Sequence, residues 1–332
     1  IPQEKEREKT GTPYNHIKAT TQAMSEQKAH YDTSLTSEYS AAVKRPAEVV
    51  HDFRKGSFSV DENECCEASL VEEILGSDND LSAECGTEPV AFVIRNVLTP
   101  DECDALIEDA ENFGIEDGPK YTARTAKRTK DYTNEALSKK VGERIQGILD
   151  TEFRDRGEKQ PTNCGYIKNP YMGPFYGVHT NWRILRYDAD EGSAFPAHFD
   201  QMDSLQMCRN DGSGCKDFVV SSHTFLVQLS DEGLEGGATR FYPRAKATRN
   251  ATSDQETFRK QQFDHAVDVV LPRGWALAFR QRGLLHAGQP VLSSSPCSKY
   301  VAQAGLLRVL PDGLLLRPSV FKNGPGVTKG AF

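Results

Sequence analysis

The chain has 332 residues and a net charge of −8, with 48 acidic and 40 basic side chains. That length holds one large β domain with a tail or two small domains, and the acidic balance removes any global electrostatic case for binding nucleic acid. No hydrophobic run reaches the length of a membrane span.

Residues 1–87 are polar, with scattered charge and few apolar clusters. They read as a disordered tail, dispensable for catalysis. Within them only Ala68-Ser-Leu-Val-Glu-Glu-Ile-Leu75 has the spacing of a short amphipathic helix. Nothing at the first residues reads as a signal peptide. The chain starts at Ile1 rather than methionine, which implies that an upstream segment is missing.

From residue 88 the texture changes. Val90-Ala-Phe-Val-Ile-Arg95 is an apolar run of strand length. Thr99-Pro100-Asp101-Glu102 is a helix start, with Thr99 as N-cap and Pro100 in the first turn. That helix is expected to reach Phe113, with Cys103, Leu106, Ile107 and Ala110 on one face. A second helix fits Asn134 to Leu149, where Leu137, Val141, Ile145 and Ile148 recur at helical spacing. From Trp182 onward short strands alternate with turns, at 182–188, 195–199, 217–229, 238–242, 265–271, 275–280, 285–291 and 299–309. Such spacing predicts a mainly β protein with supporting helices, a sandwich or barrel. A double-stranded β-helix, or jelly roll, would bring distant strands to one site. The domain is expected over 88–315, followed by a C-terminal tail at 316–332. Residues 201–216 and 243–264 read as surface loops, the first close enough to the proposed site to shape substrate entry.

The eight cysteines, Cys65, Cys66, Cys85, Cys103, Cys164, Cys208, Cys215 and Cys297, include no Cys-x-x-Cys pair with zinc spacing. Cys208 and Cys215 flank a turn-rich loop. A local disulfide there would suit an oxidising compartment, and free thiols would suit a cytoplasmic protein. One glycosylation sequon, Asn250-Ala-Thr252, lies in a polar loop.

The chemistry concentrates in three residues. His198 and Asp200 stand in Phe-Pro-Ala-His-Phe-Asp, residues 195–200, and His286 stands in Gly-Leu-Leu-His-Ala-Gly-Gln-Pro-Val, residues 283–291. On a strand, residues two apart face the same side, so His198 and Asp200 can grip one ion while Phe199 faces away. Two imidazoles and one carboxylate cap one face of an octahedral metal and leave three positions open, the arrangement of non-haem Fe(II) oxygenases. Around the triad stand Tyr187, Thr239 in Glu-Gly-Gly-Ala-Thr-Arg-Phe, and Lys299. A buried lysine is costly without a counter-ion, which a bound dicarboxylate would supply. Trp182, Arg183 and Arg240 are further pocket candidates, each more readily explained as structural or exposed. His223 and His265 read as ordinary strand histidines. The basic run Arg124-Thr-Ala-Lys127-Arg128-Thr-Lys130 reads as a solvated edge or as a pocket rim for an acidic chain.

Residues 88–310 resemble the iron(II)/2-oxoglutarate-dependent dioxygenases, and specifically the catalytic domain of the prolyl 4-hydroxylase alpha subunit. The motifs are Arg186-Tyr187, His198-x-Asp200, Thr224-Phe-Leu-Val-Gln-Leu-Ser, Glu235-Gly-Gly-Ala-Thr239-Arg-Phe241, Pro272-x-Gly274-x-Ala-Leu-x-Phe279, His286-x-Gly288-x-x-Val291 and Lys299-Tyr-Val. The resemblance implies that His198, Asp200 and His286 bind Fe(II) and carry catalysis. It implies that Tyr187, Thr239 and Lys299 bind the C5 carboxylate of 2-oxoglutarate, with O2 as the second co-substrate and L-ascorbate as a supporting reductant. The implied reaction hydroxylates a protein or peptide residue and releases succinate and CO2. The alternatives are hydroxylation of a free amino acid or other small molecule, and a catalytically silent jelly-roll binding module. Three departures accompany the resemblance: a longer turn at Ser293-Ser-Ser-Pro-Cys297, Gln228 where tyrosine is common, and no tryptophan near Gly305. The last two argue against a collagen-type substrate.

Overall fold

The structure, a computed structural model, describes residues 47, 49–55, 68–75, 91–117, 125–157, 174–189, 191–200, 204–208, 216–230, 233–243, 266–281 and 284–309. In chain order the strands are β1 (Val49–Asp52), β2 (Ser69–Leu75), β3 (Ala91–Arg95), β4 (Lys127–Arg128), β5 (Tyr132–Thr133), β6 (Phe175–Val178), β7 (Asn181–Tyr187) and β8 (Phe195–His198). They continue as β9 (Ser204–Cys208), β10 (Lys216–Gln228), β11 (Thr239–Tyr242), β12 (Val267–Val270), β13 (Ala276–Arg280), β14 (Leu285–Gly288) and β15 (Lys299–Val309). The helices are α1 (Pro100–Phe113) and α2 (Glu135–Gly157), and a 3-10 turn, Phe53–Lys55, follows β1.

These strands form two sheets. The larger has the order β2-β3-β13-β10-β15-β7-β4, with β5, β6 and β9 paired at its margins; the smaller has the order β1-β12-β11-β14-β8. From β7 onward the chain passes back and forth between them, so β7, β15, β10 and β13 lie in one sheet and β8, β14, β11 and β12 in the other. This is the expected double-stranded β-helix.

Strand alternation sorts the side chains into layers. On β10, Phe225 and Val227 point outward, and on β15 Ala302, Ala304 and Leu306 do the same, into one apolar cluster with the two helices. Leu277 and Phe279 of β13 face inward, against Phe241 and Val269 of the smaller sheet. The helices contribute Cys103, Leu106 and Ala110 from α1 and Val141 and Ile145 from α2, as their spacing predicted; Leu149 joins them, while Ile107, Leu137 and Ile148 are only partly buried against the cluster. Ile145 and Leu149 are wholly buried, each contributing about 2 kcal/mol. Thr99 caps α1 reciprocally: its Oγ1 accepts from the Glu102 amide (3.1 Å), and the Glu102 carboxylate accepts from the Thr99 amide (2.9 Å). The same carboxylate accepts two bonds from Arg144 of α2, at 2.6 and 2.8 Å, and so joins the helices. Asn134 caps α2 by accepting from the Leu137 amide at 2.9 Å, and α2 runs to Gly157 rather than ending near Leu149.

Two expectations change. The stretch Ala68 to Leu75 is not a helix: Ser69–Leu75 is an extended strand paired antiparallel to β3. Its apolar residues are compatible with either period, and the open edge of β3 decides in favour of the strand. The loop over 201–216 contains β9, paired antiparallel to β10. Residues 316–332, the sequon at Asn250, His265 and Cys215 lie outside the described residues.

The stretch upstream of residue 88 therefore supplies two strands. β1 runs parallel to β12, and Phe53 just after it is buried against Trp275, with ring centroids 6.0 Å apart. A chain starting at Glu88 is thus expected to be less stable than the full chain. Loss of the Phe53 ring alone is comparable to a core Phe→Ala change, about 3 kcal/mol or more. Chemical denaturation of the two chains checks this; equal midpoints and slopes would contradict it.

Candidate active site

The triad is assembled by register. His198 ends β8 and stands directly opposite His286 on β14. Their rings are 4.3 Å apart between centroids. Asp200 follows two residues after His198, and its two oxygens face the two histidines: His198 Nε2 is 3.3 Å from Oδ1, and His286 Nε2 is 3.5 Å from Oδ2. One donor atom from each residue lies within 4.8 Å of the others.

The orientation of both rings is fixed from behind. The Nδ1–H of His198 donates to the Pro196 carbonyl at 2.8 Å, and that of His286 donates to the Leu284 carbonyl at 3.1 Å. A carbonyl can only accept, so Nδ1 of each ring carries a proton and Nε2 of each ring is the atom that faces Asp200. Thr224 of β10 faces inward and donates its hydroxyl to Asp200 Oδ2. Burial, and then the charge on His198, push His286 down to about 4, with Asp200 opposing them. Burial disfavours the Asp200 anion, but His286, His198 and the Thr224 hydroxyl outweigh it and hold the carboxyl below its ordinary range. At neutral pH the site thus presents a neutral buried imidazole beside a carboxylate. Cis ligands about 2.1 Å from a metal stand roughly 3 Å apart, so this donor set fits a divalent first-row ion.

The co-substrate candidates form a second group. Lys299 opens β15 and pairs across with Tyr187, the last residue of β7. Its ammonium lies 5.3 Å from the centre of the Tyr187 ring and donates to the Gly237 carbonyl. Only 6 % of Lys299 is exposed. Burial, reinforced by the charge of Arg54, lowers it to about 8. Among the described residues no carboxylate pairs with it. Thr239 opens β11 opposite Gly288 and lines the same cavity as Lys299. The Tyr187 hydroxyl reaches Gly288, where a Cβ would come within 2.7 Å of it. A side chain there is excluded, and Tyr187 thereby links the Lys299 cavity to the strand that carries His286. The longer turn after β14 leaves the facing of Lys299 intact, because it is stitched to the loop before β11. The Glu235 amide donates to Ser295 Oγ at 2.7 Å, and Ser295 Oγ donates to the Glu235 carbonyl at 3.0 Å.

The remaining candidates separate. Trp182 is wholly buried on the helix side and donates its indole N–H to Ser138 Oγ at 2.8 Å, so it supports the sheet from behind. Arg240 holds Asp268 with two bonds, at 2.6 and 2.7 Å. Arg183 is exposed and pairs with Gln303 on the inner-facing register of β15. His223 stacks edge-on against Phe92, in the outer layer. Lys127 of the basic run is occupied by Asp188 (2.8 Å) and Glu191 (3.0 Å). It is therefore not free to meet an acidic partner, and Arg124 lies outside the described residues. Gly305 pairs with Thr224, and a Cβ there would fall 2.9 Å from the Ser221 Cβ. Ser221 in turn donates to Gln281 Oε1 at 2.7 Å. A large side chain at Gly305 would have to displace this pair.

Sequence reasoning missed Arg54. It lines the cavity beside Lys299 and Thr239, and its guanidinium donates to the Leu234 carbonyl, 180 residues away. The only local signal was the strand-length run Val49-Val50-His51-Asp52 just before it.

No family model and no curated protein matches the chain. Among solved structures it is similar to a viral collagen prolyl hydroxylase from Paramecium Bursaria Chlorella virus-1, at 21 % identity, covering 66 % of this chain and 96 % of that one with a TM-score of 0.36. It is similar to a Pseudomonas putida prolyl-4-hydroxylase, at 12 % identity, 68 % and 94 % coverage and a TM-score of 0.36. It is also similar to the non-heme alpha-ketoglutarate-dependent epimerase SnoN of nogalamycin biosynthesis, at 14 % identity, 73 % and 88 % coverage and a TM-score of 0.42. At these scores the likeness is one of shape, and the reading of the site rests on its own residues.

Proposed function

We propose that the protein is an Fe(II)- and 2-oxoglutarate-dependent dioxygenase that hydroxylates a residue of a protein or peptide. The observation that carries this reading is the convergence of His198, Asp200 and His286, each held from behind, in the same fold that buries Lys299 with no carboxylate partner among the described residues.

His198, Asp200 and His286 would hold the iron. Lys299, Thr239 and the Tyr187 hydroxyl would hold the distal carboxylate of 2-oxoglutarate. Bound iron with 2-oxoglutarate and O2 supplies the oxidising chemistry: one oxygen atom goes to a substrate C–H as hydroxyl, the other to succinate, and CO2 leaves. The chain's own part is positional. The Pro196 and Leu284 carbonyls fix both imidazole planes, and Thr224 fixes the carboxylate. Apolar neighbours of Tyr187, including Leu185, Val291 and Val301, keep water from the co-substrate end. Ascorbate as a supporting reductant belongs to the same reading.

The test is release of succinate from 2-oxoglutarate by the purified full chain, with and without Fe(II), while peptide and metabolite libraries are screened by mass for an added oxygen. Iron-dependent succinate is the expected result; its absence under every condition would overturn the reading. Products in the metabolite library alone would favour the small-molecule alternative. The Ser221–Gln281 pair at Gly305 favours a target other than a Pro-rich repeat. Poly-proline and collagen-like peptides are therefore expected to leave succinate release at its peptide-free rate, and stoichiometric hydroxyproline on them would contradict this.

A further inference from the structure

The cavity beside Lys299 has a feature that neither the triad nor the three co-substrate residues require. Arg54, Thr239, Gln228, Gly236, Leu271 and Lys299 are among its walls, and no acidic residue among the described residues lines it. Arg54 arrives from outside the jelly-roll strands, on the turn that follows β1. Its geometry is fixed. Nε and Nη2 donate to Asp52 Oδ1 and Oδ2 at 3.0 and 3.1 Å, and Nη1 donates to the Leu234 carbonyl. A guanidinium has five N–H donors. These three bonds leave two without a partner among the described residues. Leu234 lies in the loop that also offers the Gly237 carbonyl to Lys299, so both cations are tied to one loop at one cavity. Phe53, next to Arg54, is buried against Trp275, which anchors the turn.

Arg54 and Lys299 repel each other at a cavity that no carboxylate among the described residues lines, the third lining cation, Arg273, being paired with Asp104, and the charge of Arg54 helps to lower Lys299. An anion between them would relieve that repulsion. A guanidinium fork also suits a carboxylate better than a second ammonium would. We infer that Arg54 is a second cationic contact for the distal carboxylate of a 2-oxo dicarboxylate, so that the segment before the jelly roll completes the co-substrate site and selects for a ligand with that second carboxylate. This rests on the co-substrate reading above.

The experiment is calorimetric titration of the full chain loaded with Mn(II), a redox-inert stand-in for iron, with two ligands. 2-Oxoglutarate carries the distal carboxylate; oxalate can chelate the metal and lacks it. Arg54→Gln is expected to weaken 2-oxoglutarate about tenfold, the low end for losing a charge-assisted bond because Asp52 already shares the guanidinium. Arg54→Glu is expected to weaken it further. Both variants should leave oxalate unchanged. Arg54→Lys, which keeps the charge, should recover part of the loss and serves if the other variants do not fold, as judged by Trp275 fluorescence. Unchanged 2-oxoglutarate affinity in Arg54→Gln, or equal losses for both ligands, would overturn the inference and leave the dioxygenase reading standing. A wild-type chain that binds oxalate but not 2-oxoglutarate would overturn both.

Discussion

Alanine at His198 or His286 is expected to reduce iron-dependent succinate release to background while the fold survives. Each imidazole offers its Nε2 to the same point, and two donors on one face hold a divalent ion far less well than three. His198 is partly exposed at the end of its strand, whereas His286 is buried in the smaller sheet. The structural cost should therefore be under about 1 kcal/mol for His198→Ala and up to about 3 kcal/mol for His286→Ala. A graded partner separates positioning from ligation. Thr224→Val removes the hydroxyl that orients Asp200 and keeps the strand shape, so metal affinity should fall by about 10- to 100-fold rather than vanish. Metal titration with a thermal melt on each variant checks the series. Full turnover in both histidine variants would contradict the assignment.

Lys299→Ala is the second large effect. Its ammonium is buried, and a charge-assisted bond to a carboxylate contributes about 1.5–3 kcal/mol. The 2-oxoglutarate concentration needed for half-maximal turnover should rise by about one to two orders of magnitude. The same lysine predicts a pH dependence with a definite sign. Its folded-state value is lowered to about 8, so it is cationic below that pH and neutral above it. Affinity for the dicarboxylate should then be level up to about pH 8 and fall by at most about tenfold per pH unit beyond. In Lys299→Ala that alkaline loss should disappear. A binding curve that strengthens with rising pH, or an Ala variant with the wild-type profile, would contradict the role.

How much of this was legible depended on whether the deciding interaction was local. The His198-x-Asp200 pair could be read from its two-residue spacing, although β8 ends at His198 and Asp200 lies just past it, and the meeting with His286 needed only the right topology. The helix over 100–113 could be read because its cap lies three residues from its partner. The stretch at Ser69–Leu75 could not, since its pairing with β3 is non-local and its apolar residues suit either period. The two-residue strands β4 and β5 exist only because β7 offers them an edge. Arg54 was invisible for the same reason: its charge sits in a polar stretch, and the cavity it lines is made by strands more than 170 residues further on. Lys127 misled in the opposite direction, because a basic run does not reveal that Asp188 and Glu191 will face it.

His198, Asp200 and His286 are proposed to be a metal centre. Anaerobic equilibrium dialysis of the full chain against Fe(II) addresses it without depending on any substrate. One tightly held ion per chain is expected in the wild type and none in His198→Ala or His286→Ala, with all three proteins folded. Equal iron in the wild type and both variants, or none in a folded wild type, would contradict it.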